Sequence, residues 1–169
     1  MLGFLLLFNG CDQPKHIIQI NGESMGTTYS IKVVQNTNKT NIQSIEIGID
    51  SVLHEINKQM STWDPKSEIS VFNQWRSIKP YPVSDSLITV VDKAISISKK
   101  TQGLFDVTVY DLMSLWGFGP NPKTGMPSMS EVDKVLSSTG YGKIKIYKNT
   151  IIKTHPLVKL DLNAIAKGY

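Results

Sequence analysis

The end of the chain carries the arrangement best suited to chemistry. Leu160–Leu162 has the pattern of a strand end, and the residues from Asn163 onward are typical of a turn that leads into a helix. Amide N–H groups at a helix N-terminus attract anions, the small Ala164 lets a ligand approach the backbone, and Lys167 supplies positive charge. The segment therefore indicates a phosphate site, and the alternative is a solvated lysine at the beginning of a helix.

Three other segments place aromatic or acidic side chains at turns. In chain order they are Ser24–Tyr29, which contains Met25; Ser61–Pro65, which contains Trp63; and Gly103–Asp106. Each has a structural alternative, namely a bulge at a strand entry, a tryptophan that covers the core, and an aspartate that caps the next element. None of the three identifies a site by itself.

Several familiar catalytic patterns are absent from the sequence. It contains no GxGxxG, no P-loop and no GxSxG nucleophile elbow. His54–Glu55 lacks the second histidine that a zinc-protease helix requires four positions on, and neither His16 nor His155 has metal-ligand spacing with it. A single cysteine excludes an internal disulfide framework and a cysteine-based zinc cage.

The composition is that of a folded domain. Of the 169 residues 40% are hydrophobic, and 18 Lys+Arg against 14 Asp+Glu leave a net charge of +4. At ~150 residues per domain, the length suits one domain or part of a larger one, and the hydrophobic content argues against disorder. The lysines are scattered along the chain, so the sequence predicts no nucleic-acid partner.

Apolar periodicity predicts the elements that position these segments. His16–Asn36 is predicted to form two strands and Asn41–Met60 an amphipathic helix. A second helix is predicted from Asp85 to Thr101, with Ser84 as N-cap and Gly103 as terminator, and Ser128–Glu131 has the capping-box spacing of a third.

The second half of the chain favours strands. Ile144–Tyr147 and Ile151–Lys153 are predicted to form a hairpin, Val158–Leu162 a further strand, and Trp116–Pro122 an ordered or mobile loop. Because strands and helices do not alternate strictly, the fold class is α+β rather than a doubly wound sheet. The final helix stops within its first turns, where isolated helices are marginal in water, so we expect the chain to be part of a longer protein.

The beginning of the chain resembles a bacterial lipoprotein signal. Met1–Phe8 is apolar but far shorter than the ~20 residues that span a bilayer, and a small residue precedes Cys11, after which the chain turns polar. Residues 1–11 are therefore predicted to be a lipoprotein-type signal with lipidation at Cys11, and residues 12–169 to belong to the folded domain. The alternative is a first core strand with a buried free cysteine.

Five segments in order form one larger pattern: Met25–Tyr29; Met60–Pro65 with Ser67–Ser70 and Phe72–Asn73; Gly103–Val109; Leu115–Pro120; and Leu160–Tyr169. In order and spacing they resemble the ApbE family of FAD:protein FMN transferases. The resemblance implies an α+β, ApbE-like (T-fold-related) domain, of which residues 12–169 would be the N-terminal part. A lipoprotein signal also suits that family, which includes tethered periplasmic enzymes.

The resemblance implies a magnesium-dependent enzyme that splits the pyrophosphate of FAD. FMN would pass to a threonine, or sometimes a serine, of an acceptor protein, and AMP would leave. The alternatives are a periplasmic FAD pyrophosphatase that yields FMN and AMP, and a flavin-binding lipoprotein without catalysis. The resemblance further implies acceptors in membrane redox complexes and a location at the inner membrane, lipid-anchored and facing the periplasm; Asp12 after Cys11 resembles the signal for inner-membrane retention.

The resemblance also assigns residues. The FAD-binding positions would be Met25, Trp63, Leu104, Phe105, Asp106, Asp161 and Lys167, and the carbonyl of Ala164 would bind magnesium. Trp63 stands where the family commonly has tyrosine, and Leu104 where it usually has alanine. The family's side-chain magnesium ligands lie in its C-terminal half, so no general base is assigned and these 169 residues alone are expected to lack transferase activity.

Overall fold

The computed structural model describes residues 16–24, 27–35 and 41–169. The predicted signal with Cys11, and Met25, lie outside these ranges. The chain divides into two units, Met1–Ser51 and Val52–Tyr169. Among the described residues, no helix combines the length and the apolar character that crossing a membrane would require.

The first unit contains a two-stranded antiparallel ribbon. Strands β1 (His16–Ser24) and β2 (Thr27–Gln35) pair over their full length, which confirms the two predicted strands. The alternation of β-branched residues explains the pairing, since Ile18 lies opposite Val33 and Ile20 opposite Ile31 on one face of the ribbon.

Five α-helices are described, and three of them were predicted. They are α1 (Ile42–Met60), α2 (Glu68–Gln74), α3 (Asp85–Lys100), α4 (Tyr110–Leu115) and α5 (Met129–Leu136). The hydroxyls of Ser84 and Ser128 accept from the amides of Leu87 and Glu131, as their N-cap positions predict. Helices α2 and α4 were not predicted because seven and six residues are too few to show a helical period.

The end of α3 differs in detail from the prediction. Gln102, with φ +53°, is the left-handed residue that turns the chain, and Gly103, with φ +87°, follows it. The amide of Gly103 donates to the carbonyl of Ser98 (2.9 Å), and that of Gln102 to the carbonyl of Lys99 (3.2 Å). This is a Schellman motif, with Gly103 one position later than a terminating glycine usually stands.

A small antiparallel sheet lies in the second unit. Its strand order is β3 (Tyr81–Pro82), β5 (Thr150–Lys153) and β4 (Ile144–Tyr147). The β4–β5 hairpin confirms the prediction, and Lys148, with φ +50°, makes its turn. Strand β3 was not predicted, because two residues leave no alternating pattern.

The predicted strand at Val158–Leu162 is wrong. The segment is extended and largely buried, but its backbone is not paired in a ladder. The side chain of Asn73 binds both backbone groups of Leu160, and the amide of Asp161 donates to the carbonyl of Val107 (2.8 Å). A side chain and a loop thus take the groups that a neighbouring strand would have used.

The core of the second unit surrounds α2 and this extended segment. Its fully buried side chains include Ile69, Phe72, Leu87, Val91, Ile151, Leu160 and Leu162. Burial of large apolar side chains contributes about 1.5–3 kcal/mol each. This core supports the α+β fold that the sequence predicts.

One charged residue lies inside that core. Lys153 is 0% exposed, and its Nζ donates to the carbonyls of Phe72 (2.9 Å) and Trp75 (2.8 Å) at the C-terminal end of α2. The ammonium lies 4.4 Å from the centroid of the Phe72 ring, an arrangement that also favours a cation. Burial, followed by the positive charges of Arg76 and Lys159, lowers the pKa of Lys153 to about 8.

The buried lysine predicts an unusual pH dependence. Between the folded-state pKa of about 8 and the ordinary value of 10.5, the unfolded chain holds a proton that the folded chain lacks. The free energy of unfolding should therefore rise with pH in this window, by about 1–2 kcal/mol once solvent screening is allowed for, relative to Lys153→Met. Urea unfolding at both ends of the window measures this difference. The exposed Lys145→Met is the control, and parallel pH profiles for wild type and Lys153→Met would contradict the prediction.

Candidate functional site

Three segments from distant parts of the sequence meet beside α2. The side-chain Nδ2 of Asn73 donates to the carbonyl of Leu160 (2.8 Å), and its Oδ1 accepts from the backbone amide of Leu160 (2.7 Å). The backbone bond between Asp161 and Val107 adds the loop after α3. Two of the predicted segments, those containing Asp106 and Asp161, are therefore held together by direct contacts.

Asp106 organises the loop on which it lies. Its Oδ1 accepts from the amide (2.8 Å) and the hydroxyl (2.6 Å) of Thr108, and its Oδ2 accepts from the amide of Tyr141 (2.8 Å). The Thr108 hydroxyl in turn accepts from the amide of Gly140 (2.6 Å). The carboxylate thus joins the turn after α3 to the chain that precedes β4, which is the capping role open to an aspartate at this position.

The two residues before Asp106 are more open. Leu104 is 95% exposed and Phe105 is half-buried. An apolar side chain that is almost fully exposed next to a fixed loop provides a surface on which the face of a planar ligand can lie.

Asp161 is a buried carboxylate. Its two oxygens accept from the backbone amide (2.9 Å) and the side-chain nitrogen (3.0 Å) of Asn163. Burial raises the pKa of Asp161 above its usual value, and these two hydrogen bonds oppose part of that rise. The two bonds fix the turn that directs the chain from Leu162 towards Lys167.

The predicted anion site after this turn differs from expectation. The helix is only a 3-10 turn, Ala166–Gly168, and the amides of Ile165 and Ala166 both donate to the carbonyl of Leu162. The expected row of free helix N–H groups is therefore largely used inside the segment. Ala164 and Lys167 are both exposed. An anion could therefore contact the positively charged side chain of Lys167 and the backbone at Ala164.

The described residues do not by themselves fit a magnesium ion. Mg²⁺ is usually bound through one or two carboxylates. The carbonyl of Ala164 would be a single neutral ligand, and both carboxylate oxygens of Asp161 already accept hydrogen bonds from Asn163. Within the described ranges, no group of three His, Cys, Asp or Glu side chains could hold a metal. A complete metal site requires ligands from outside these ranges.

Trp63 borders a cavity. The tryptophan lies on the turn after α1 and is 63% exposed, so it does not cover the core. The cavity has a volume of about 390 Å³, and its wall includes Thr62, Trp63, Arg76, Tyr110, Pro120 and Lys159. Of the described residues expected to bind FAD, Trp63 lines this cavity, and Leu104, Phe105, Asp106, Asp161 and Lys167 do not.

The loop predicted at Trp116–Pro122 forms part of the cavity wall and is anchored at both ends. The amide of Phe118 donates to the carbonyl of Met113 (2.8 Å), and that of Lys123 to the carbonyl of Ser114 (2.8 Å). Lys123 also forms an ion pair with Glu131, whose pKa is lowered to about 2 by this bond and by the two bonds from Ser128 in the capping box. The loop is irregular, and these contacts hold its two ends.

Sequence reasoning singled out the segments that contain Thr62, Trp63 and Pro120, but it missed Arg76, Tyr110 and Lys159. Lys159 directly precedes the motif Leu160–Tyr169, and the position of that motif could have drawn attention to it. Arg76 and Tyr110 gave no such signal, because the short helices that place them, α2 and α4, leave no periodic pattern.

Comparison with known proteins gives a consistent result. A sequence profile described as "ApbE family" matches residues 25–169. The FAD:protein FMN transferase of Vibrio cholerae is 40% identical over 169 residues, which are 99% of this chain and 51% of that protein. The enzyme of the same name from Haemophilus influenzae is 33% identical over 166 residues, covering 94% of this chain and 48% of the relative.

Solved structures agree with these sequence matches. The flavin transferase ApbE from Vibrio cholerae superimposes with a TM-score of 0.88 at 40% identity, covering 92% of this chain and 50% of that one. The apo form of the Pseudomonas stutzeri flavinyl transferase ApbE gives a TM-score of 0.86 at 28% identity, covering 92% and 52%. The chain spans about half the length of the relatives it matches, and the α+β fold prediction is confirmed.

The Asp106 network predicts a specific instability. Asp106→Asn replaces one carboxylate oxygen by an NH₂ group, so that a donor faces either the Thr108 pair or the Tyr141 amide. We expect a loss of about 1–3 kcal/mol in the free energy of unfolding, measured in urea. Asp133→Asn, which makes the same change at an exposed position of α5, should cost less than about 0.5 kcal/mol. Equal stability of the two variants would show that the network contributes nothing.

Proposed function

The chain belongs to the ApbE family, and from this membership we propose that the complete protein is an FAD:protein FMN transferase. The observation that carries the proposal is the family match over residues 25–169. The contacts that bring the Asp106 loop and the Asp161 turn together are consistent with it, because a dinucleotide needs a wall built from more than one segment.

The proposed reaction is a phosphoryl transfer. The hydroxyl oxygen of an acceptor threonine or serine attacks the FMN phosphorus of FAD and forms the new P–O bond. The bond from that phosphorus to the bridging oxygen breaks, AMP leaves with the bridging oxygen, and the hydroxyl loses its proton. The new bond joins FMN to the acceptor protein as a phosphoester.

The described residues would bind and orient the nucleotide. Lys167 is an exposed cation beside an open stretch of backbone, and it would neutralise charge that moves onto the leaving phosphate. The exposed ring of Trp63 and the Leu104–Phe105 pair would provide flat apolar contacts. Asp106 and Asp161 would shape the wall through the turns they hold, and Met25 would complete the nucleotide contacts.

Magnesium dependence is part of the proposal. Bound Mg²⁺ would stabilise phosphate charge, with the Ala164 carbonyl as one ligand and carboxylates from outside the described residues as the others. We expect EDTA to abolish transfer and added Mg²⁺ to restore it. Full transfer in EDTA would contradict this part alone.

We further propose a location for the complete protein. Removal of the residues that precede Cys11 and lipidation at Cys11 would anchor it in the inner membrane, facing the periplasm. This location would place it beside membrane redox complexes, from which its acceptor proteins would come.

Mass spectrometry tests the proposed reaction. The complete protein incubated with FAD, Mg²⁺ and a redox subunit should add the mass of one FMN to the subunit and release one AMP. Free FMN without modified subunit would identify an FAD pyrophosphatase, and bound FAD without either product would identify a flavin-binding protein. Both results would contradict the proposal.

A charge variant tests the role of Lys167. Lys167→Met should raise the KM for FAD about tenfold or more, because one contact between a cation and a phosphate is lost. Lys134→Met, at an exposed position of α5, is the matched control and should leave the KM within twofold. An unchanged KM in Lys167→Met would remove this residue from the proposed nucleotide site.

A further inference from the structure

We propose that the buried polar face of α2 positions two segments that contact FAD, namely the turn that carries Trp63 and the chain from Asp161 to Lys167. The face consists of Ser67, the N-cap of the helix, and of Ser70 and Asn73 within it. These side chains would act through the backbone of the two segments, so they are positioning residues and not nucleotide contacts. The inference rests on the proposed function and adds residues that the expected FAD contacts do not include.

The three side chains share one face of the helix. They are spaced three residues apart, close to the ~3.6 residues of a helical turn. Ser67, Ser70 and Asn73 are 0%, 8% and 5% exposed, although residues of these types are mostly exposed in proteins. A buried polar side chain is unfavourable unless it is hydrogen-bonded, so each of the three needs a partner. Their partners include backbone groups outside the helix.

The N-terminal end of this face holds the turn that carries Trp63. The hydroxyls of Ser67 and Ser70 both donate to the carbonyl of Ser61 (2.6 and 3.4 Å). The hydroxyl of Ser61 in turn accepts from the backbone amide of Trp63 (3.3 Å). The backbone at Trp63 is therefore tied to α2, while its ring is 63% exposed and free to contact a ligand.

The C-terminal end of the face holds the chain that leads to Lys167. The side chain of Asn73 donates to the carbonyl of Leu160 and accepts from its backbone amide. The next residue, Asp161, directs the chain through its two bonds to Asn163. Without the Asn73 side chain, two buried backbone groups would lose their partners, so the segment would have to move or admit water.

The helix itself is fixed independently of both segments. Ile69 and Phe72 are fully buried in the core, and Lys153 binds the carbonyls of Phe72 and Trp75. A change at one end of the polar face should therefore disturb the segment bound there and leave the other segment in place. A nucleotide that contacts both segments binds tightly only when each is held to within ~0.5 Å of its position.

Double-mutant cycles on the complete protein test the proposal. The Kd for FAD is read from the anisotropy of flavin fluorescence directly after mixing with FAD and Mg²⁺, without acceptor protein. Asn73→Ala should raise the Kd about tenfold, as expected for Lys167→Met, and the double variant should bind no more than about twofold more weakly than either single variant. Independent contributions would instead multiply to about a hundredfold, which would overturn the inference.

The other end of the helix provides a complementary cycle. Ser67→Ala should raise the Kd about fivefold and be non-additive with Trp63→Ala, because both changes remove the same ring contact. It should be additive with Lys167→Met, whose segment Ser67 does not hold. Equal coupling to both would indicate a general loss of structure and would overturn the inference. This cycle also decides the question if Asn73→Ala does not fold.

Asn149→Ala separates positioning from stability. Asn149 is exposed and its side-chain nitrogen donates to Asp85, so its loss should lower the free energy of unfolding in urea but leave the Kd for FAD within about twofold. If folded Asn73→Ala binds FAD as tightly as wild type, Asn73 only stabilises the fold and the inference is wrong. These measurements do not require catalysis, so a wild-type protein that binds FAD without transferring FMN would contradict the proposed function alone.

Discussion

The double hydrogen bond between Asn73 and Leu160 is the interaction on which the second unit of the fold depends. A single side chain satisfies both backbone groups of a buried residue 87 positions away, at 2.7 and 2.8 Å. It fixes α2 against the extended chain that carries Asp161 and Lys167, and the next residue continues the link to the Asp106 loop. Because buried backbone groups must be paired, this segment has no alternative register.

Lys153 supports the same C-terminal end of this helix. Its ammonium binds the last carbonyls of α2, where a cation is favoured, but it is buried without a carboxylate partner in the described part of the chain. Replacing a buried charge by an apolar residue can be neutral for stability. Lys153 instead fixes the backbone at Trp75, and the next residue, Arg76, lines the cavity.

Sequence periodicity predicted the long elements correctly and the connecting chain incompletely. Helices α1 and α3 and the β4–β5 hairpin each show several repeats of their period, whereas α2, α4 and β3 are too short to show one. Val158–Leu162 alternates like a strand, but tertiary contacts to Asn73 and Val107 replace the ladder. Periodicity reports which residues are buried and does not report what pairs with their backbone.

The candidate site, like the fold, could be predicted from the sequence only in part. The motifs containing Asp106 and Asp161 could be found from residue types and spacing, and the structure brings their segments into contact. The cavity next to Trp63 could be predicted only in part, because Arg76, Tyr110 and Lys159 lie outside the segments that the sequence pattern singles out. Motifs indicated the expected nucleotide contacts, and only the fold revealed a second pocket beside them.

A crystal structure of the complete protein with FAD is the most direct test of this account. We expect the nucleotide to lie along Leu104–Asp106 and the turn from Asp161 to Lys167, with Trp63 in contact and the cavity beside it open. FAD bound at a distance from these segments, or FAD that fills the cavity lined by Arg76, would contradict it.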